Sequence, residues 1–181
     1  MNEPFAPSLR EPAPHDEALR VGVIGALAAA SMLFASLVSA YVVRRSFADW
    51  REASAVWPFI LLTLATCASL GMEMAARAEG PSRRRGWSVL VWSSVAYLVI
   101  AIAVLVSITS PPGLPPPHRA FAFLLLGLHV VHAILGGAFA QWVLRTPASV
   151  SGEASLSLCR LVTHFLTLLL AAILFILFLL P

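Results

Sequence analysis

Long runs of apolar residues, separated by short polar or proline-rich segments, set the pattern of this chain. A transmembrane helix needs about 20 consecutive apolar residues to cross about 30 Å of hydrocarbon. Five stretches reach this length: about Val21–Val43, Ala55–Ala76, Trp87–Ile108, Ala120–Leu144 and Val162–Leu180. The pattern therefore predicts an all-α membrane protein, with a bundle of five transmembrane helices within residues 21–181.

The composition supports a membrane location. The 181 residues are 59% hydrophobic and 12% charged, and a soluble core of that size cannot hide so much apolar surface. Residues 1–20 are rich in proline and acidic side chains and have no basic run before a short apolar core, so we expect a disordered tail and no signal peptide. The net charge of +3 gives no reason to invoke nucleic acid as a partner.

Arginine predicts the orientation, because the chain contains no lysine. With five spans, one side carries eight arginines: Arg10, Arg20, Arg77, Arg83, Arg84, Arg85, Arg145 and Arg160. The other side carries four: Arg44, Arg45, Arg51 and Arg119. The positive-inside rule then places the N-terminus in the cytoplasm and the C-terminus outside, in the cytoplasmic membrane of a cell.

Two connecting segments have the composition of loops. Residues 79–86 are short, basic and turn-rich, so the second and third helices should be antiparallel neighbours. Residues 110–119 contain five prolines, which fix φ and remove backbone donors, and we expect a stiff external hairpin there.

One carboxylate, Glu73, lies within the predicted spans, four residues before Arg77. This spacing lets the two charges meet on one helix face while both reach toward the membrane interface. An interfacial ion pair is favoured over a proton relay, because the spans contain no ladder of further carboxylates.

Three histidines are the remaining candidates for chemistry. His129 and His132 lie three residues apart on one helix face, and His164 lies on the last span. Polar groups at such depth are costly unless partnered. We expect both histidines of the fourth span to bond to neighbouring helices, with His164 and Thr167 as further interhelical polar positions. The glycines Gly127, Gly136 and Gly137 should allow close approach of those helices.

Haem ligation by these histidines is the alternative. His132 is expected about 18 Å from the inner end of its helix and His164 only about 3 Å past the start of the last helix, so the two heights disagree. A metal site needs three or four converging ligands, and the spacing indicates none.

Four segments, in matching order, carry a further pattern: Met32–Ala35 with Ala40–Arg44, Trp57–Pro58 with Leu62–Leu64, Gly127–His132, and His164–Thr167. They resemble motifs of subunit III of the haem-copper terminal oxidases (cytochrome c oxidase and quinol oxidase), in its shorter five-helix form. The GxHxxH element, Gly127 with His129 and His132, is the most specific. Together the segments cover nearly the whole chain after residue 20.

The resemblance implies a non-catalytic subunit of a respiratory oxidase. Such a subunit packs against catalytic subunit I, assembles with subunit II, binds phospholipid and helps maintain the complex, while haem and copper belong to the partners. The chain departs from the family at polar positions, with Ala30 for a glutamate and Thr167 for an aspartate. A divergent branch associated with nitric oxide reductases therefore stays open, as do a haem-binding electron carrier using the three histidines and a membrane transporter or assembly factor.

Overall fold

Five long α-helices make up the computed structural model, which describes residues 14–47, 56–109, 116–145 and 153–178. The helices are α1 (Pro14–Arg45), α2 (Trp57–Arg77), α3 (Gly80–Thr109), α4 (Pro116–Arg145) and α5 (Glu153–Phe178). Each is long and apolar enough to cross a membrane. The chain is an all-α, multi-pass membrane protein with five transmembrane helices, as its hydropathy predicts.

Successive helices run in opposite directions, as the contacts at the two ends of the bundle show. At one end, Tyr41 of α1 donates to the carbonyl of Leu177 of α5, and Trp57 of α2 meets Phe178 of α5 edge to face. We call this the Tyr41 end. The opposite end holds the last turn of α2 and the first turns of α3 and α5, and we call it the Glu73 end.

Helices α2, α3, α4 and α5 form a ring, each packing against the next. Helix α1 lies outside this ring and contacts only α4 and α5 among the described helices. Its buried residues are few, with Ala30, Phe34 and Tyr41 turned toward the ring. Most of the apolar surface of α1 therefore remains exposed to whatever surrounds the bundle.

Helices α2 and α3 approach each other closely enough for their backbones to touch. A Cβ placed on Gly71 would lie 2.6 Å from the backbone nitrogen of Leu90, and one on Gly86 would lie 2.4 Å from that of Ala75. No ordinary side chain fits at such distances. Two glycines on facing helices thus allow the close crossing, which is a common way to pack helices in lipid.

The helix starts differ from the predicted ones, and prolines and acidic residues explain the difference. Helix α1 begins at Pro14, inside the segment predicted as a disordered tail, and α3 and α4 begin inside the two predicted loops. Proline is compatible with the first turn of a helix, where backbone N–H groups have no intrahelical partner. Acidic residues favour the same turn, and α1 has Glu17 there. Residues 1–13 and 110–115 lie outside the described residues.

The connection between α2 and α3 is only two residues long, Ala78 and Glu79. Gly80 follows with φ of 59°, in the left-handed region that glycine adopts without strain. This sharp reversal makes α2 and α3 the antiparallel neighbours that the sequence predicts, although the basic segment after Gly80 is helix and was predicted to be loop.

His118 is buried at the Tyr41 end, where its ring packs edge to face against Tyr41 and Phe178. The sequence places it in the proline-rich hairpin, and this placement is wrong because α4 already begins at Pro116.

Candidate functional site

Glu73 is the centre of a charged cluster at the Glu73 end of the bundle. Its carboxylate accepts two hydrogen bonds from Arg160 of α5, from Nε to Oε1 and from Nη2 to Oε2, both at 2.8 Å. Arg77 approaches Oε2 at 2.7 Å, and the Nε2–H of His164 donates to Oε1 at 2.8 Å. The fork geometry of Arg160 is the arrangement in which a guanidinium binds a carboxylate most strongly.

The cluster joins α2 to α5. The side chain of Glu73 is 18% exposed, that of Arg160 34% and that of Arg77 73%, so the interhelical pair is the better shielded of the two ion pairs. The Nδ1 atom of His164 lies 2.5 Å from the hydroxyl oxygen of Ser69, which extends the contact along α2. Glu73 therefore has more partners than the single ion pair with Arg77 that the sequence predicts.

Arg160 and Ser69 are the members of this cluster that sequence reasoning missed. The alternation of helix directions could have identified Arg160, since it brings the end of α2 and the start of α5 to the same side of the membrane. The predicted start of the last helix near Val162 left Arg160 outside it, whereas α5 begins at Glu153. Arg160 is consequently a helical residue facing α2 rather than part of a loop.

His129 lies in the bundle interior, 2% exposed, and both of its ring nitrogens have protein partners. Nε2 lies 2.9 Å from the carbonyl oxygen of Leu166 of α5, and Nδ1 lies 2.7 Å from the hydroxyl oxygen of Tyr97 of α3. A carbonyl only accepts, so Nε2 carries the proton. With a neutral ring, which burial in an apolar bundle favours, the Tyr97 hydroxyl donates to Nδ1. His129 thus connects α3, α4 and α5.

His132 behaves differently from its neighbour on the same face. Its Nδ1–H donates to the carbonyl oxygen of Leu128, one turn back on α4, at 2.8 Å. The prediction that His132 bonds to a neighbouring helix is therefore wrong. Its contact with another helix is an aromatic one, since its ring meets Phe34 of α1 edge to face at 5.6 Å.

His132 and His164 lie at similar depths, contrary to the expectation from the sequence. Because α5 begins at Glu153, His164 lies about 16 Å past its start, close to the expected depth of His132. The two rings nevertheless face different helices. His164 contacts Glu73 and Ser69 on α2, whereas His132 packs against Phe34 on α1. The two rings therefore lie at similar depths but point toward different helices.

Of the remaining predicted positions, Thr167 and Gly136 lie in contacts between helices, whereas Gly127 and Gly137 do not require glycine for packing. The hydroxyl of Thr167 donates to the carbonyl of Ala65 on α2 at 3.3 Å, as well as to its own helix. A Cβ on Gly136 would lie 2.7 Å from Leu166, so this glycine allows α4 to approach α5. At Gly127 the nearest atom is 4.0 Å away and at Gly137 nothing lies within 4 Å, so neither position requires glycine for packing.

A cavity of about 250 Å³ lies at the centre of the helix ring. All four ring helices line it, and no lining residue is charged. It separates two parts of the apolar core, because Tyr97 belongs to the part near the Tyr41 end and Ala68 and Ala140 to the part near the Glu73 end. Val95 and Ile134, both exposed, also line it, so the cavity opens sideways between α3 and α4.

The polar groups of the bundle thus form two sets with different chemistry. The charged set around Glu73 lies near one end, and the neutral set around His129 lies deeper and borders the cavity. Within the described residues, no three histidine, cysteine or carboxylate side chains are grouped as metal ligands.

In comparisons with known proteins, no family model, no curated protein and no solved structure matches this chain.

Proposed function

We propose that this chain is a non-catalytic subunit of a respiratory haem-copper oxidase, similar to subunit III, that stabilises catalytic subunit I in the cytoplasmic membrane. The observation that carries the proposal is the segment Gly127–His132, whose GxHxxH pattern resembles the family. In such a complex subunit II would be the other partner, haem and copper would lie in the partner subunits, and phospholipid would cover the apolar faces.

The use of the polar side chains supports a structural role. Both nitrogens of His129 and the whole carboxylate of Glu73 are engaged in contacts between helices. These groups hold the bundle together, as polar residues between membrane helices do. A proton relay through Glu73 would have to break its fork with Arg160, which favours the packing role.

Helix α1 supports an interaction with a larger membrane partner. Val21, Ile24, Met32 and Leu33 of this helix are exposed, and among the described helices it contacts only two others. In a membrane this face meets lipid or another protein. We assign it to the interface with catalytic subunit I, with the N-terminus cytoplasmic and the C-terminus external as the arginine distribution indicates.

The haem-binding electron carrier is the second candidate, and the histidine geometry is unfavourable to it. His129 and His164 each engage both ring nitrogens with protein groups, so ligation by either would break two hydrogen bonds. His132 and His164 face different helices. An assembly protein associated with nitric oxide reductase stays compatible with the same packing role.

Affinity purification tests the proposal. A tagged chain, extracted from its native membrane in mild detergent, should bring with it a larger polypeptide that carries haem and copper. Deleting the gene should lower the amount of assembled oxidase while turnover per assembled complex stays nearly normal. Recovery of the chain without a haem-bearing partner, or a Soret band in the isolated chain, would contradict the proposal.

A further inference from the structure

A groove with two arginines lies at the Glu73 end of the bundle, between α2 and the first turns of α3. Arg84, Arg85 and Ser88 line it on the α3 side, and Met74 and Val89 give it apolar walls. All five residues are exposed. None of the described residues that line the groove is acidic. The groove therefore offers positive charge and a hydroxyl beside an apolar surface.

The guanidinium groups of Arg84 and Arg85 are not neutralised within the described part of the chain, where neither forms an ion pair or a side-chain hydrogen bond. The carboxylate of Glu73 is already engaged by the fork of Arg160. Glu79 lies just before α3 but does not line the groove. Arginine carries its N–H donors in a planar fork that matches the oxygens of a phosphate. The pair is therefore suited to a phosphate group.

An apolar stripe continues the groove along α3. Trp92, Val95 and Val99 follow Ser88 at steps of three or four residues, so they lie on the same face of the helix. Their exposed fractions are 71%, 46% and 63%, and no described helix covers them. The arginines stand near the end of the helix, where long cationic side chains reach the membrane interface. This face of α3 thus places cations at the interface and an apolar surface directly below them, which is the layout of a phospholipid.

We propose that this groove selects an anionic phospholipid, with the phosphodiester on Arg84 and Arg85 and an acyl chain along Trp92. A zwitterionic lipid is disfavoured, because its ammonium group would lie beside two guanidinium groups with no carboxylate in the groove to balance it. Phosphatidylglycerol, whose head group adds no positive charge, has the required chemistry. Free phosphate shares the anionic group but has no chain for the apolar stripe. This binding does not depend on the proposed oxidase role.

Native mass spectrometry of the purified full chain, titrated with single lipids in mild detergent, tests the proposal. Dioleoyl phosphatidylglycerol and dioleoyl phosphatidylcholine have the same acyl chains and differ only in the head group. Each arginine near a membrane surface favours an anionic lipid by roughly fivefold, so phosphatidylglycerol should bind at least about tenfold more tightly. Inorganic phosphate in large excess should leave the bound lipid in place. Displacement by phosphate would assign the groove to the free ion and overturn the proposal.

Four arginines at the same end of the bundle give a matched pair of double variants. Arg84→Gln with Arg85→Gln removes the two cations of the groove. Arg83→Gln with Arg145→Gln removes two exposed cations that do not line it, so this pair is the control for surface charge. We expect the groove variant to lose at least about tenfold in affinity for phosphatidylglycerol and the control to lose little, while phosphatidylcholine binds both alike. The exposed positions should leave the helical circular dichroism of both unchanged.

Phosphatidylglycerol with brominated acyl chains tests the apolar stripe, because bromine quenches the fluorescence of a tryptophan that it contacts. The bound lipid should quench the wild-type chain more strongly than Trp92→Phe, and this difference should vanish in the groove variant. Equal binding of the two lipids, equal losses in the two double variants, or quenching that Trp92→Phe does not reduce would each overturn the proposal.

Discussion

Replacing Gly86 by alanine should force α2 and α3 apart. The new Cβ would lie 2.4 Å from the backbone nitrogen of Ala75 and 2.8 Å from the carbonyl carbon of Met74. Ordinary contacts of a Cβ begin near 3.4 Å. The two helices must therefore separate by about 1 Å at this crossing, and because the obstacle is backbone, no rotamer change relieves it.

The expected loss of stability is about 1–3 kcal/mol, the range typical of overpacking a tightly packed interior. An opposing effect is present, because alanine is a better helix former than glycine by about 1 kcal/mol in water. Gly25→Ala changes only the helix propensity and adds no clash, since nothing lies within 4 Å of the new Cβ. The difference between the two variants therefore isolates the steric term.

Unfolding in mixed micelles of rising dodecyl sulfate content, followed by circular dichroism, measures this difference. Gly71→Ala should behave like Gly86→Ala, because its Cβ would meet the backbone of Leu90 at 2.6 Å. The double variant should lose less than the sum of the single losses, since one separation relieves both contacts. If Gly86→Ala is as stable as Gly25→Ala, the close crossing of α2 and α3 is not the packing of the protein.

Further predictions concern the polar contacts, the α2–α3 turn and the topology. In a double-mutant cycle, Glu73→Gln and Arg160→Gln should show a coupling of about 1 kcal/mol, and additive losses would contradict their fork. Tyr97→Phe should reduce unfolding stability by about 0.5–1.5 kcal/mol, because Nδ1 of His129 loses its donor, and the loss should vanish in a His129→Leu background. Gly80→Ala should cost about 1 kcal/mol from its left-handed φ, with Gly25→Ala as the comparison. Reporter fusions should place the N-terminus in the cytoplasm and the C-terminus outside, and the opposite placement would refute the arginine argument.

The five helices were predictable from the sequence because membrane spanning imposes a length and an apolar composition on each helix separately. Their ends were not, since hydropathy reports the apolar stretch and not the polar turns that extend it. The first two turns of α3 contain three arginines, and α5 starts nine residues before its predicted apolar stretch, at Glu153. Prolines predict a disordered tail and a stiff loop, whereas Pro14 begins α1 and Pro116 begins α4.

The candidate contacts were predictable only where they lie within one helix. Glu73 and Arg77 meet because four residues bring side chains together on any helix. The fork with Arg160 depends on how α2 and α5 are rotated against each other, which spacing along one helix does not specify. The same applies to His129 and His132, which share a face yet meet different neighbours. The cavity is a property of four helices together and has no signature in any one of them.

Depth explains how the polar side chains are distributed over the bundle. Lipid tails are as apolar as leucine, so packing between membrane helices relies on close approach and on polar contacts rather than on hydrophobic association. A full charge is tolerable near an interface and costly in the middle. The protein follows this gradient, with the ionic fork of Glu73 near one end and the neutral pair of Tyr97 and His129 deeper in the ring. Among the described residues, His129, His164 and Glu73 all make polar contacts between helices.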